Sequence, residues 1–499
     1  MRAAVAAFPD RVAVRDADHA ITYAELGEAV ARSARKFADA GIGRADVIAI
    51  CALNSAPYAI AYLAAVSMGA IVAPLPQSAT AESLVRMIAD CDARAILVDA
   101  DTATMLRSGR VGVPMIDLVD LIACGPEQER ISWPALAPTD PFNIIYSSGT
   151  TGTPKGIIQS HAMREAHVKL GESCRYRAGC VTLLSTPLYS NTTLISLLPT
   201  LALGGTAVLM RKFDVEGFLA LCQEHRVTHA MLVPIQYQRL MASDRFASHD
   251  LSAFEEKFCT SAPFALELKR DILDRWPGGL TEYYGMTEGG GLCILSAHDH
   301  PDKLHTVGRP APETDMRIID EDGRELPPGE IGEIVGASRN IMSGYHNRPD
   351  ATDEAMWTSP TGRRYMRTGD IGRFDEDGFL ILMDRKKDVI ISGGFNIYPS
   401  DLEDILHTHP HVEDAAVVGV ASARWGETPV AFIVGAQASR DAVMEFVNQR
   451  VGKSQRLADL RIIESLPRSQ IGKILKRELR EAYGDDSRMN RASAGNPRA

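Results

Sequence analysis

The sequence predicts an α/β protein: a large N-terminal domain of helix-covered, mostly parallel sheets plus a small β-barrel, followed by a small α+β C-terminal domain. Three observations carry this. From about residue 20 to 294, short apolar strand patterns alternate with helical periodicity, as in parallel strands joined by helical crossovers. From 305 to 384 turn signals crowd together, with DEDG at 320–323, PPGE at 327–330 and DEDG again at 375–378. A charged run, Asp384-Arg385-Lys386-Lys387-Asp388, then precedes a segment with strands and helices of its own.

Taken in order, Thr22 with Glu25 three residues on predicts a capping box. Strands follow at Val47–Leu53, Ala70–Pro74 and Ala95–Val98. Ala56–Leu75 approaches the ~20 apolar residues of a membrane span, but Pro57, Gly69 and Pro74 divide it into a buried helix at about 57–68 and a strand. Residues 125–141 are Pro-rich and polar and read as a surface connection. Further strands are expected at Asn143–Tyr146, Val181–Leu184, Ala207–Leu209 and His229–Val233, then in the turn-rich part at Met316–Ile319, Ile331–Val335 and Phe379–Met383. The C-terminal segment offers strands at Ala415–Val420, Val430–Val434 and Leu460–Ile463, with helices at about 399–408, 439–450 and 475–483. The domain plan is therefore 1–384, a linker at 385–388, 389–484, and a tail at 485–499 with little apolar content.

The 499 residues carry 64 acidic against 53 basic side chains, a formal charge of -11. That excludes broad electrostatic nucleic-acid binding while leaving room for a local basic site. Eight scattered cysteines without a C-x-x-C pair point to reduced thiols and a cytoplasmic setting. The N-terminus has too short an apolar run for a signal peptide, and no membrane span is expected. His407, His409 and His411 could be metal ligands on an extended segment, but Pro410 makes a helix end the preferred reading.

The most informative segment is Tyr146–Gly156, YSSGTTGTPKG. After an apolar strand it gathers Ser147, Ser148, Gly149, Thr150, Thr151, Gly152 and Thr153 before Lys155. Glycines admit backbone N–H groups to an anion, hydroxyls add donors, and the lysine adds charge. The spacing is not that of a P-loop, since Pro154 precedes the lysine and Gly156 follows it. In Tyr283-Tyr284-Gly285-Met286-Thr287-Glu288, Tyr284 offers a ring face for a base, Thr287 a donor for phosphate and Glu288 a hard oxygen for Mg²⁺.

These segments resemble the signatures of the adenylate-forming superfamily, which includes acyl-CoA synthetases, firefly-type luciferases and peptide-synthetase adenylation domains. The resemblance runs from Thr22 to Lys473. It implies that Thr260-Ser261-Ala262-Pro263 lines the adenine and that Asp370, in Thr368-Gly369-Asp370, takes the ribose. It places Arg385 at the nucleotide, Lys387 at the pivot of a mobile C-terminal domain, Gly393 and Gly394 beside the pantetheine of CoA, and Lys473 as the catalytic lysine. Tyr189, Ser190, Asn191, Val233, Gln236, Thr260, Gly285, Met286 and Gly291 become the acyl pocket. One departure stands out: Ser190 occupies a place where the family often has histidine. This change can widen or re-polarise the acyl site, or be a local repacking.

The implied reaction joins a carboxylic acid to ATP, giving acyl-adenylate and pyrophosphate, and then passes the acyl group to the CoA thiol. An aromatic, phenylpropenoid or medium-chain acid suits the small residues of the pocket. The implied partners are the acid, ATP, Mg²⁺ and CoA, on a monomer or homodimer. Alternatives are an adenylation enzyme loading a carrier protein and, from another class, an inactive nucleotide-binding regulator.

Overall fold

The computed structural model describes residues 1–107, 109, 111–122, 132–147, 155–393, 395–422, 424–435, 437, 439–469 and 472–484. Two compact units result, one of Met1–Met316 with Val335–Arg367, the other of Arg317–Ile334 with the chain from Thr368 onward. The division differs from a single cut at 385, because the segment 317–334 pairs by long-range contacts that local composition does not register.

The first unit holds two large sheets. Among the described residues one has seven strands, in the order Gly344–Tyr345, Lys155–Ser160, Pro141–Ser147, Ile71–Pro74, Val47–Cys51, Ala93–Val98, Met115–Asp117. Its inner pairs from Pro141–Ser147 to Met115–Asp117 are parallel. The helix Ala56–Ser67 is buried at every position from Ala56 to Val66, which explains its resemblance to a membrane span. No helix among the described residues is long and apolar enough to cross a membrane. Thr22 and Glu25 form the expected reciprocal cap of helix Tyr23–Asp39.

The second sheet runs Arg309–Pro310, Leu292–Ser296, Gly279–Gly285, Glu256–Cys259, His229–Leu232, Val181–Leu184, Thr206–Leu209, Val12–Arg15, Ala20–Thr22. Six consecutive strands, from Gly279–Gly285 to Val12–Arg15, are parallel. The order reverses at Val181–Leu184, whose chain successors lie on either side of it. In open α/β sheets ligands bind beyond the carboxyl ends of strands at such a switch point.

The turn-rich part is antiparallel, with Met356–Thr358 against Arg364–Met366 in the first unit and Asp370–Phe374 against Leu380–Arg385 in the second. Among the described residues the second unit also has a five-stranded sheet in which Gly426–Val434 lies between Asp414–Ser422 and Ile390–Ser392, and also takes Asp459–Ile462 in parallel. Helices Pro399–His407 and Arg440–Asn448 cover it through Leu402, Leu406, Val443 and Val447. His407 ends its helix, and no metal-holding group of three His, Cys, Asp or Glu occurs among the described residues.

Candidate active site

The strand Pro141–Ser147 and the strand Lys155–Ser160 form a hairpin with Ser147 opposite Lys155 and Tyr146 opposite Gly156. The predicted phosphate-binding residues Ser148, Gly149, Thr150, Thr151, Gly152 and Thr153 lie outside the described residues, between these paired ends. The base of the hairpin is pinned. The Tyr146 hydroxyl donates to Asp90 Oδ2 at 2.6 Å, and Arg348 donates to the other oxygen at 2.5 Å. Burial raises the Asp90 pKa, but Arg348 and Tyr146 outweigh it and hold the carboxyl below its usual range. A Cβ on Gly156 would sit 2.8 Å from the Ile144 side chain, so any other residue here would push Ile144 aside.

Lys155, Thr287 and Glu288 are brought together by two residues that the sequence did not single out. Tyr345, on a two-residue strand opposite Ile157, donates from its hydroxyl to Glu288 Oε1 at 3.0 Å. Its ring centroid lies 4.9 Å from the Lys155 ammonium. Gln159 donates to the Thr287 carbonyl at 2.7 Å. Glu288 is further fixed through its own carbonyl, which accepts from the Met342 N–H at 2.7 Å.

Four loops carrying predicted site residues leave the carboxyl ends of adjacent parallel strands: Ser185–Ser190, Val233–Gln236, Thr260–Pro263 and Met286–Glu288. Ser190 caps helix Asn191–Ala202, its hydroxyl accepting from the Thr192 N–H at 3.3 Å. The Thr192 and Ser261 hydroxyls meet at 2.8 Å. Ser261 holds φ at 83°, a left-handed conformation costly for serine, of the kind that clusters at ligand sites. Ala262 and Pro263 follow in the same loop. Burial pushes the Tyr189 hydroxyl up to about 12, against a hydrogen bond from Ser78. Val233 and Gln236 are engaged in capping: Gln236 accepts from the Val233 N–H and donates to Ser185.

Glycines build the remaining wall. A Cβ on Gly285 would lie 3.1 Å from the Gly291 carbonyl, and one on Gly336 2.5 Å from the Gly291 Cα. Met286 packs beside Ile157, Met342 and Met366. Tyr284 is half-buried, but Tyr283 is not available to a nucleotide. Its ring stacks on Phe258 at 5.6 Å and its hydroxyl meets the Cys174 sulfur at 2.9 Å. Successive strand residues face opposite ways, so the tyrosine pair cannot both line one site. Tyr283, Phe258, Tyr176, Ser196 and His167 surround a cavity of about 10 Å³.

In the second unit the Asp370 carboxylate meets Arg385 Nε at 2.7 Å, and Thr368 donates to the Ile334 carbonyl at 2.9 Å. The charged run divides its partners: Arg385 takes Asp370, Lys386 takes Glu333 at 2.9 Å, and Asp388 accepts from Arg480 at 2.6 Å. Asp384 accepts from the Ser400 N–H at 2.7 Å. Lys387 is held below the usual lysine range, first by burial and then by Arg385, Arg480 and Arg477, against the pull of Asp388. Gly393 adopts φ of 59° beneath the Trp425 ring, where a Cβ would come within 2.9 Å. Gly394 lies outside the described residues. The turn carrying Lys473 is closed by Ser469, whose N–H donates to the Lys473 carbonyl at 2.8 Å, and is tied down by Arg468, 2.7 Å from Asp414.

A lysine-bearing hairpin, a tyrosine-held carboxylate and loops at a switch point define a nucleotide-handling α/β enzyme. Residues 1–346 match the family model described as AMP-binding enzyme, and residues 401–473 match the AMP-binding enzyme C-terminal domain. The chain belongs to the AMP-binding enzyme family. Feruloyl-CoA synthase of an Amycolatopsis species is 34% identical over 95% of this chain and 96% of its own. The 4-coumarate–CoA ligase-like 9 of Oryza sativa subsp. japonica is 32% identical over 96% of this chain and 91% of its own. The O-succinylbenzoate coenzyme A synthetase of Bacillus subtilis, solved in complex with ATP and magnesium ion, superposes with a TM-score of 0.85 at 27% identity, covering 96% of this chain and 98% of that one.

Proposed function

We propose that this chain is an AMP-forming carboxylic acid–CoA ligase acting on an aromatic, phenylpropenoid-like acid. The observation that carries the reading is the convergence of Lys155 and Glu288 on the two aspects of one tyrosine, with the Thr287 carbonyl held by the same hairpin. The acid's carboxylate attacks the α-phosphate of ATP, the bond to the β-phosphate's bridging oxygen breaks, and pyrophosphate leaves. The CoA thiol then loses its proton, bonds to the acyl carbon and expels AMP.

Two anions must approach in the first step, so positive charge and positioning dominate. Lys155 and the hydroxyl-rich loop hold the departing pyrophosphate, Thr287 the α-phosphate, and Lys473 supplies charge to the carboxylate. Asp370 and Arg385 hold the ribose, Lys387 is the pivot between half-reactions, and Gly393 and Gly394 admit the pantetheine. Glu288 fits a magnesium ion: it is a single hard-oxygen donor without a surrounding ligand cluster among the described residues, which suits an ion that keeps its waters and takes phosphate oxygens. Bound there, Mg²⁺ supplies neutralising charge. The aromatic preference is supported by the names of the feruloyl and coumarate relatives. A cytoplasmic location and a monomeric or homodimeric state belong to the same proposal.

The test is acid-dependent exchange of labelled pyrophosphate into ATP, run across phenylpropenoid, benzoate-type, medium-chain and short-chain acids. An aromatic acid is expected to exchange fastest, and CoA to yield its thioester. Exchange with no acid refutes the ligase reading in favour of a regulator. Exchange followed by transfer only to an acyl-carrier protein refutes CoA as acceptor.

A further inference from the structure

Arg164, on the helix His161–Ser173, is 2% exposed. Its partners among the described residues are all neutral. Nε donates to Asn143 Oδ1 at 2.9 Å, one terminal nitrogen to Asn191 Oδ1 at 2.8 Å, and the other to Gln159 Oε1. His167 lies at 3.4 Å through Nδ1, and burial, reinforced by Arg164, lowers its pKa to about 3, so it is uncharged. No carboxylate among the described residues offsets this guanidinium.

Folding alone gives little reason for such a group, because replacing buried charge by well-packed apolar side chains is often neutral or stabilising. The geometry supplies a reason. Asn143 and Gln159 face each other across the two strands of the phosphate hairpin, and Asn143 donates to the same Gln159 oxygen at 3.0 Å. With that oxygen occupied, the Gln159 amide nitrogen is turned to the Thr287 carbonyl at 2.7 Å. Asn191 is oriented in the same way. Its oxygen accepts from Arg164 and from Gln159 at 3.4 Å, which leaves its Nδ2 hydrogens as donors. Asn191 opens the helix that follows the acyl loop, so those donors suit a carboxylate or acyl oxygen.

We propose that Arg164 is a positioning residue for adenylation: one buried guanidinium sets the phosphate hairpin, the Thr287 backbone and the donor face of Asn191 in a common register. This rests on the ligase reading above. Arg164 touches no reacting atom and acts through Gln159 and Asn191.

The test compares wild type with Arg164→Met, which keeps bulk, Arg164→Lys, which keeps charge, and Gln159→Leu, which cuts the link to Thr287. Single-turnover adenylate formation, normalised to titrated active sites, is measured with the acid preferred in the exchange panel, beside equilibrium binding of ATP and of the acid. The rate per active site is expected to fall about 10- to 100-fold in Arg164→Met and Gln159→Leu, as for a small misplacement of reacting groups. Binding of each substrate changes less than about threefold, and Arg164→Lys recovers part of the rate. If Arg164→Met does not fold, Gln159→Leu decides alone. An unchanged rate per active site, whatever the melting temperature, means the cluster is structural and overturns the proposal. Silence of the wild type with every acid overturns the ligase reading instead, and this proposal with it.

Discussion

Tyr345→Phe isolates one bond within the proposed nucleotide site. The ring that lies 4.9 Å from the Lys155 ammonium is kept, and the hydroxyl that donates to Glu288 at 3.0 Å is removed. A hydrogen bond to a charged group contributes ~1.5–3 kcal/mol when fully buried. Tyr345 is half-buried, so about 1–2 kcal/mol is the part that survives solvent competition. At ~1.4 kcal/mol per tenfold, the adenylation rate should fall about 5- to 30-fold. The loss should be largest at limiting magnesium, where an unrestrained carboxylate has the most to lose. Pyrophosphate exchange over a magnesium series measures it. A double-mutant cycle with Glu288→Ala then asks whether the effect runs through the carboxylate. In the Glu288→Ala background the loss of the hydroxyl should cost nothing further. An equal loss in both backgrounds, or a change below about twofold in the single variant, refutes the reasoning.

Four further outcomes are expected. Lys473→Ala should abolish adenylate formation while sparing thioester formation from a supplied acyl-adenylate, and Lys387→Pro should slow chiefly the second half-reaction; half-reaction assays showing equal loss in both would refute these roles. Asp384 is raised to about 6 by burial, against Lys476 and the Ser400 N–H. The native state therefore binds the proton more tightly than the unfolded chain, and stability falls as pH rises from about 4 to 6, by at most ~3 kcal/mol; denaturant titrations of wild type and Asp384→Asn across that window should show a flatter dependence in the variant. Gly336→Ala places a methyl 2.5 Å from the Gly291 Cα and should destabilise by about 1–3 kcal/mol, seen as a lower thermal midpoint together with slower exchange.

What the sequence made legible was local. The strand Val181–Leu184 is recovered to the residue, and others, such as Pro141–Ser147 against Asn143–Tyr146, to within one or two, because apolar runs between turn signals report directly on buried parallel strands. Motif residues such as Asp370 and Arg385 could be named separately, and the structure pairs them across an antiparallel register. Tyr345, Gln159 and Arg164 were not legible. Each looks ordinary in its own segment, and its role arises only when the hairpin meets a distant strand or helix. The unit division at 317–334 was hidden for the same reason. Tyr283 was misplaced because a motif was read as a block, whereas a strand sends neighbouring side chains to opposite faces.

The serine at 190, where the family resemblance implies histidine, has a physical reading. The Ser190 hydroxyl accepts from the Thr192 N–H, and the residue is buried. The adjacent polar group is Asn191, and an amide on its own can present either its oxygen or its nitrogen. Two donors, from Arg164 and Gln159, remove that choice by claiming the oxygen. The polarity at this end of the acyl loop is therefore set by a guanidinium on a different helix. On the proposed reading, serine at 190 and the buried arginine are parts of one arrangement, in which a neutral amide supplies the polar group at this end of the loop. Acid activation should then lack the inflection that a titrating histidine in that position would impose, and Ser190→His should introduce one.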